Sequence, residues 1–292
     1  MSTVPEPVQA AALVAAVCRE AYRIWENCQS LARGGDEHLV ILKTHHHILE
    51  QLDAVGVLIR AGAVEPSKLQ LRAAFESLLT LEYVMEADTK RRAYAWLVVV
   101  DVLERIKTWE RFDPGTQSGR KFAELCREEG HILPAVSSAE GSAAALKRML
   151  ESDPRWTEAY AEYKQVKAAL KRQPEWYELF GGPGGPGVRS LALHLRWGAY
   201  YEVLYRLWSR RIHGADVVQR VKRAPGGGLL VQPLRYAADV GMVLNFAVTF
   251  GLQSTRLLIR YYCPDEEAAF RTWYLEVIGP ALADCPGRAP GG

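Results

Sequence analysis

The sequence predicts an all-α protein, a multi-helix bundle with one short β-hairpin near residues 217–231. Apolar residues recur at spacings of three and four through nearly every long segment, which is the period of an amphipathic helix. Hydrophobic residues make up 49% of the 292-residue chain and charged residues 24%, a composition typical of a globular protein that buries a large core. The sequence contains no internal repeat and no parallel-sheet alternation, which favours helix packed on helix.

Four long helices are predicted in the first 112 residues. They cover 8–33, 36–62, 69–87 and 89–109. Gly34-Gly35 ends the first helix, Asp36 is the predicted N-cap of the second, and Pro66 precedes the third. In the second helix, the positions predicted to face the core include Leu39 and His46.

The remaining helices are predicted to be shorter at first and long again near the end. Polar helical pieces are expected at 120–129, 139–151 and 154–172, and apolar helices at 188–214, with a break at Gly198, and at 236–262 and 265–282. The glycine- and proline-rich residues 181–187 predict a loop, and Val217–Val221 with Leu229–Val231 predict the hairpin. We therefore expect a single helical domain over 1–283, with core helices in 8–112 and 188–282, a more polar helical insertion at 113–187, and a disordered tail at 284–292.

Composition excludes several classes of protein. The net charge is only +2, and the five cysteines are scattered without a Cys-x-x-Cys pair, so neither a disulfide framework nor a thiolate zinc site is indicated. The first eight residues do not resemble a secretory signal. The apolar stretch Tyr236–Tyr262 contains Asp239 and Arg256 among other polar residues, which favours a buried core helix over a membrane span. We expect a cytoplasmic protein without a membrane partner.

Residues 200–214 form the segment richest in side chains that can take part in catalysis or binding. In an α-helix, Tyr205, Ser209 and His213 are successive i, i+4 neighbours, and Arg206 returns to nearly the azimuth of His213 after seven residues. These side chains can therefore face one cleft. The alternative is structural: the hydroxyls are satisfied in the core, and His213 is favoured at a helix C-terminus before Gly214.

Residues 188–235 are strongly basic. They contain nine cations and two acids, a local balance of +7. Such a concentration attracts phosphate groups, although the cations can equally pair with acids of other helices. The cations are Arg189, Arg196, Arg206, Arg210, Arg211, Arg220, Lys222, Arg223 and Arg235.

The third helix carries a charged pair in apolar company. Arg72 and Glu76 are at i, i+4 spacing among leucines and Phe75, so we expect both charges to be buried or half-buried. The pair is either a structural brace or a means of orienting the segment of Tyr205 and His213 from across the bundle.

No metal or cofactor site is indicated. His45, His46 and His47 are consecutive, so their side chains point about 100° apart and do not converge on one ion, although His46 and Glu50 are at i, i+4. The glycines of 181–187 lack the Lys-Ser/Thr ending of a P-loop.

Two short motifs resemble those of a family of bacterial helical proteins of unknown function. The first is Leu-Arg-Ala-x-Phe-Glu at Leu71–Glu76, followed by Tyr83 and Arg92; the second is Tyr-x-x-x-Ser-x-x-x-His, from Tyr205 to His213. The resemblance spans residues 35–215.

That family is distantly similar to the HEPN superfamily. Ribonuclease members of HEPN carry Arg-x(4–6)-His near a helix end, and here Arg206 and His213 are separated by six residues. Many active members have a polar residue directly after the arginine, whereas this chain has Leu207.

The resemblance implies a metal-independent endoribonuclease that acts on RNA or another phosphate-bearing ligand, as a homodimer, in a toxin or defence role. His213 would be the acid or base and Arg206 the phosphate ligand, with Tyr205, Ser209 and Arg210 binding substrate. The alternative is a noncatalytic helical module that binds a nucleotide, nucleic acid or protein. In that case Arg72, Glu76, Tyr205, Ser209 and His213 form a structural polar network.

Overall fold

A computed structural model describes residues 6–131, 139–208, 221–223, 225–231, 233 and 235–283. The predicted all-α architecture is confirmed, because helices account for most of these residues. Ser209, Arg210, His213 and the predicted tail at 284–292 lie outside the described residues.

The helices follow the predicted order closely. In chain order the elements are α1 (Pro7–Leu31), α2 (Asp36–Arg60), α3 (Val64–Glu86), α4 (Thr89–Trp96), a π-helical segment (Leu97–Val102), α5 (Leu103–Phe112), α6 (Gln117–Glu128), α7 (Ala139–Ser152), α8 (Pro154–Leu170), a 3-10 segment (Trp176–Gly181), α9 (Val188–His194), α10 (Gly198–Tyr201), a second π-helical segment (Glu202–Leu207), strands β1 (Val221–Arg223) and β2 (Leu229–Val231), α11 (Val240–Tyr262), a 3-10 segment (Pro264–Glu266), α12 (Glu267–Trp273), a third π-helical segment (Tyr274–Ile278) and α13 (Gly279–Ala283).

The chain divides into two compact units. One contains the described residues of Met1–Met85 and Leu191–Gly292, and the other those of Glu86–Ser190. The second unit begins earlier in the chain than the predicted insertion at 113–187, because α4 and α5 pack with α7, α8 and the 3-10 segment that follows them.

The first unit is built around α1, α2 and α11, which pack on one another. Their shared face is apolar and fully buried, with Val14, Ile24, Leu52 and Leu258 at 0–1% exposure. Gly251 of α11 permits the close approach, because a Cβ there would meet Val17 Cγ1 at 2.5 Å. Close packing of this kind leaves little tolerance for larger side chains.

The buried face of α2 differs from the predicted one. His45 is completely buried, whereas the predicted His46 is half-exposed beside Trp25 and Leu39 is 60% exposed. The prediction chose His46 as the core histidine, and the structure shows that it is His45. The spacing of apolar residues does not decide between neighbouring histidines in a run of three. Gly35, rather than Asp36, is the N-cap of α2.

Helix α11 is long and apolar enough to cross a membrane by length and composition, with a mean hydropathy of 1.3 over its most apolar window. More than half of that window, 56%, is buried inside the protein. This burial agrees with the predicted core helix.

A two-stranded hairpin is present among the described residues, at the place where the sequence predicts it. β1 pairs antiparallel with β2, with Val221 opposite Val231 and Arg223 opposite Leu229. Residues 217–220 lie outside the described residues. The break predicted at Gly198 is found between α9 and α10, where Arg196 adopts a left-handed conformation with φ 64°.

Candidate functional site

Helix α3 presents a row of charged residues along one side. Glu65, Lys68, Arg72 and Glu76 are spaced by three, four and four residues, so they lie on one helix face. The core positions of α3, such as Phe75, are completely buried. The amphipathic pattern thus anchors α3 by its apolar side and leaves this charged row for other segments.

Tyr205 lies against the end of this row. Its hydroxyl donates a hydrogen bond to Glu76 Oε1, and Arg72 Nε donates to the same oxygen at 3.3 Å. The Arg72 guanidinium carbon lies 3.9 Å from the centroid of the Tyr205 ring, a cation–π contact. Tyr201 also stacks on the Tyr205 ring, with ring centroids 4.5 Å apart and planes inclined by 13°. The structure therefore brings together three sequence-predicted residues, Arg72, Glu76 and Tyr205, which we call the α3 cluster.

The electrostatics of this cluster favour a neutral tyrosine. Burial, together with the hydrogen bond to the Glu76 carboxylate, raises the pKa of Tyr205 well above its usual value. Burial opposes the charge on Arg72, but its contact with Tyr205 and the charge of Glu76 leave the pKa of Arg72 raised. At neutral pH Tyr205 is thus a hydrogen-bond donor to Glu76, and Arg72 is a cation. Arg72 is 27% exposed and Glu76 44%, so the predicted partial burial is found for both side chains.

Arg206 lies outside this cluster. Its side chain is 75% exposed and donates to Glu202 Oε2 at 3.0 Å, on the same π-helical segment. Leu207, which follows, is also exposed. Among the described residues, Glu202 is the ion-pair partner found for Arg206.

The shared-face prediction for Tyr205 and Arg206 rests on α-helical rotation, and Glu202–Leu207 is π-helical instead. A π-helix bonds i to i+5 and turns less per residue, so faces worked out at 100° per residue do not hold across it. Tyr205 contacts α3, whereas Arg206 faces solvent. The positions of Ser209, Arg210 and His213 lie outside the described residues.

The sequence analysis missed the most buried member of the row. Lys68 is completely buried, donates to Glu65 Oε1 at 2.5 Å, and donates also to Asp239 Oδ2. Its ammonium nitrogen lies 5.1 Å from the Trp208 ring centroid. The i, i+3 spacing from Glu65 was a usable signal in the sequence, whereas a partner 171 residues away was not.

Metal binding finds no support in the described part of the chain, where no group of three or more His, Cys, Asp or Glu side chains converges. Glu50 contacts two of the histidines: its carboxylate oxygens lie 3.2 Å from His47 Nδ1 and 3.4 Å from His46 Nδ1. His45 is buried in the core. Burial lowers the pKa of His45 to about 3, and its ring is neutral.

A separate cleft of about 660 Å³ lies within the second unit, lined by residues that include Lys90, Arg91, Arg155, Glu158 and Phe180. Arg91 pairs there with Glu158 at 2.9 Å and lies 5.1 Å from the Phe180 ring. Two of the charged side chains that line the cleft therefore form an ion pair with each other. No residue of either predicted motif lines it.

Comparison with known protein families matches residues 38–221 to a family of unknown function, DUF5677. No curated protein and no solved structure matches the chain. The matched region runs from the start of α2 to the first residue of β1, so it contains α3, Tyr205 and the whole second unit. Because this region is more than half of the 292 residues, the chain belongs to the DUF5677 family.

Proposed function

We propose that this protein is a HEPN-like, metal-independent endoribonuclease that uses Arg206 and His213. The exposure of Arg206 is the observation that carries the proposal: at 75% it is available to a ligand, although the adjacent Tyr205 is held in the α3 cluster.

The proposed reaction is an intramolecular transesterification of RNA. His213 takes the proton of a ribose 2′-hydroxyl, whose oxygen attacks the adjacent phosphorus. The bond from phosphorus to the 5′-oxygen breaks, that oxygen takes a proton from solvent water, and His213 returns its proton to solvent, so the products are a 2′,3′-cyclic phosphate and a 5′-hydroxyl. Arg206 stabilises the charge that grows on the phosphoryl oxygens. No oxidant and no metal ion enters this balance.

In this proposal the α3 cluster positions the site rather than contacting RNA. Tyr205 gives its hydroxyl hydrogen to Glu76, and Arg72 covers its ring, so neither group is offered to a phosphate. They fix the segment from which Arg206 projects. Ser209 and Arg210 follow directly in the sequence and would contribute to substrate binding.

The cellular setting and assembly are proposed on the same basis. The basic stretch 188–235 fits RNA as the partner, and paired sites of the HEPN type imply a homodimer. A cytoplasmic toxin or defence role is consistent with this activity.

A noncatalytic binding module is the second candidate. Glu202 neutralises Arg206 at 3.0 Å, and Leu207 stands where many active HEPN proteins have a polar residue. In such a module the same exposed cation binds an anionic partner without cleaving it.

Cleavage of single-stranded RNA in EDTA separates the two candidates. We expect the purified protein to leave cyclic phosphate ends on RNA and to spare DNA of the same sequence, which lacks the 2′-hydroxyl. His213→Ala should cut about 10² to 10⁴ times more slowly, the range for a positioned acid or base, with an unchanged melting temperature. Ser152→Ala, on α7 of the second unit, is the matched control. If the protein binds RNA but never cuts it, the nuclease is excluded and the noncatalytic binding module is supported. If His213→Ala cuts RNA as fast as the parent, the cleavage comes from a contaminating nuclease.

A further inference from the structure

Two cysteine thiols from distant parts of the sequence lie side by side in the first unit. The sulfur atoms of Cys28 and Cys263 are 3.9 Å apart, close enough for a weak S–H···S hydrogen bond. Cys28 is completely buried and Cys263 is 8% exposed. Both are free thiols. The two residues are 235 positions apart, so the spacing of the cysteines in the sequence gave no sign of this pair.

Both cysteines lie at helix ends. Cys28 is in the last turn of α1, and Cys263 is the C-cap of α11. Helix ends open more readily than helix interiors, so a small oxidant reaches this pair more easily than a thiol in the middle of a helix. A disulfide requires sulfur atoms about 2 Å apart, so the two sulfurs must approach by about 2 Å. Rotation of a cysteine side chain about its Cα–Cβ bond moves the sulfur by a distance of this size.

A second link holds the two segments in this arrangement. Glu266, three residues after Cys263, accepts hydrogen bonds from Arg23 at 3.0 Å and from Asn27, the neighbour of Cys28, at 3.3 Å. The two thiols are therefore held together by contacts that do not involve sulfur. Such positioning raises the effective concentration of one thiol at the other.

We propose that Cys28 and Cys263 form a redox modification site that closes to a disulfide when a peroxide oxidises the protein. The disulfide joins the end of α1 to the end of α11. Cytosolic disulfides are usually transient, so the proposed cytoplasmic setting would keep the pair reduced until it is oxidised. This inference goes beyond the proposed function and does not depend on RNA cleavage.

The reaction is the two-electron oxidation of two thiols by one molecule of hydrogen peroxide. The sulfur of Cys263, the more exposed of the two, attacks a peroxide oxygen, the O–O bond breaks, and Cys263 becomes a sulfenic acid with release of one water. The sulfur of Cys28 then attacks the Cys263 sulfur. The S–S bond forms, the S–O bond breaks, and the departing hydroxide takes the thiol proton of Cys28 to give a second water. Dithiothreitol reverses the change by thiol–disulfide exchange.

The surroundings of the pair make the first step slow. Burial raises the pKa of both thiols, so both are neutral at pH 7, whereas the thiolate is the nucleophile. The Arg23 guanidinium favours the thiolate of Cys263 and opposes part of this effect. The site therefore responds to sustained peroxide rather than to traces of it.

Peptide mapping of the folded protein tests the site. The parent is treated with excess hydrogen peroxide, the remaining thiols are blocked, and tryptic peptides are identified by mass spectrometry without reduction. Cys28→Ala removes one member of the pair, and Cys18→Ala, on the same helix, is the matched control. Circular dichroism checks that the oxidised proteins retain the helical content of the parent.

We expect a peptide that links Cys28 to Cys263 in the parent and in Cys18→Ala, and no such link in Cys28→Ala. The oxidised parent should melt about 5 °C higher because the cross-link constrains the unfolded chain, and dithiothreitol should restore the original melting temperature.

A folded parent in which peroxide forms no Cys28–Cys263 link, or links either residue to a different cysteine, would overturn the inference. A link that forms only in urea would overturn it as well. The map of the parent decides even if Cys28→Ala does not fold, and no readout involves RNA, so failure of the proposed nuclease leaves the result unchanged.

Discussion

Lys68 and Arg206 are two cations in opposite surroundings. Lys68 is buried under the Trp208 ring and holds carboxylates from two segments. Arg206, two residues before Trp208, is 75% exposed and pairs with one carboxylate four residues earlier. A buried and doubly paired cation fixes the chain around it, whereas an exposed cation with a local partner adds little to stability and is free to exchange that partner for a ligand.

Loss of the buried cation should have the largest effect on stability. We expect Lys68→Ala to lower the free energy of unfolding by about 3 kcal/mol, because Glu65 and Asp239 would face each other without a counter-ion. Urea unfolding followed by circular dichroism measures it. Lys107→Ala, which removes an exposed i, i+3 pair with Glu104, is the control and should cost less than about 0.5 kcal/mol. Equal losses would mean that burial does not distinguish the two lysines.

His45 extends the comparison to a buried group that is neutral. Complete burial lowers its pKa to about 3 in the folded protein, below the usual 6.5, so the unfolded chain binds more protons in acid. The stability is full above about pH 6.5 and falls as the pH drops through this window. Between pH 7 and pH 5 we expect His45 to account for a loss of about 2 kcal/mol.

Urea unfolding of His45→Met at the two pH values measures this contribution. The variant should lose about 2 kcal/mol less than the parent does on acidification, because it has no proton to gain there. His47→Gln removes an exposed histidine from the same helix and is the control for the loss of a histidine as such. If His45→Met and the parent lose the same stability, then His45 does not carry the pH dependence.

The α3 cluster should make an intermediate contribution to the free energy of unfolding. Tyr205→Phe keeps the ring under Arg72 and removes the hydroxyl that bonds to Glu76, so we expect a loss of about 1 kcal/mol. A double-mutant cycle with Glu76→Gln should give a coupling energy of similar size. Additive losses within error would show that the two side chains do not interact in solution.

Arg206 should have the smallest effect on stability. We expect Arg206→Gln to change the free energy of unfolding by less than about 0.5 kcal/mol, because its ion pair with Glu202 is exposed. Thermal melting of the variant beside Lys68→Ala makes the contrast directly. A destabilisation as large as that of Lys68→Ala would place Arg206 in the packed structure and remove the basis for its functional role.

Much of the fold was predictable because local signals decide it. The period of apolar residues placed α1 to α3 and α11. Residues 182–187 of the predicted loop lie outside the helices, whereas Gly181 ends the 3-10 segment before them. Periodicity does not distinguish His45 from His46 in a run of three histidines. It also does not reveal the π-helical segments, whose extra residue per turn is accommodated by packing rather than by a residue type.

The candidate site was predictable only in part for a similar reason. Arg72 and Glu76 are neighbours on one helix, and their apolar surroundings indicated an unusual role before Tyr205 was found beside them. Lys68 and Asp239 lie 171 residues apart, and nothing local to either residue identifies the other as its partner. Long-range pairs of buried charges depend on how the helices pack, which a single sequence does not specify.

The most direct test of the functional claim is single-turnover RNA cleavage by Arg206→Gln in EDTA, beside the parent and Arg256→Gln. Arg256 on α11 also forms a partly exposed pair, with Glu267 at 3.2 Å, and lies outside the basic stretch. The account predicts that Arg206→Gln cuts about 10² to 10³ times more slowly at an unchanged melting temperature, because one donor to the transition-state oxygens is lost. Arg256→Gln should cut as the parent does. Cleavage at the parental rate by folded Arg206→Gln would contradict the account.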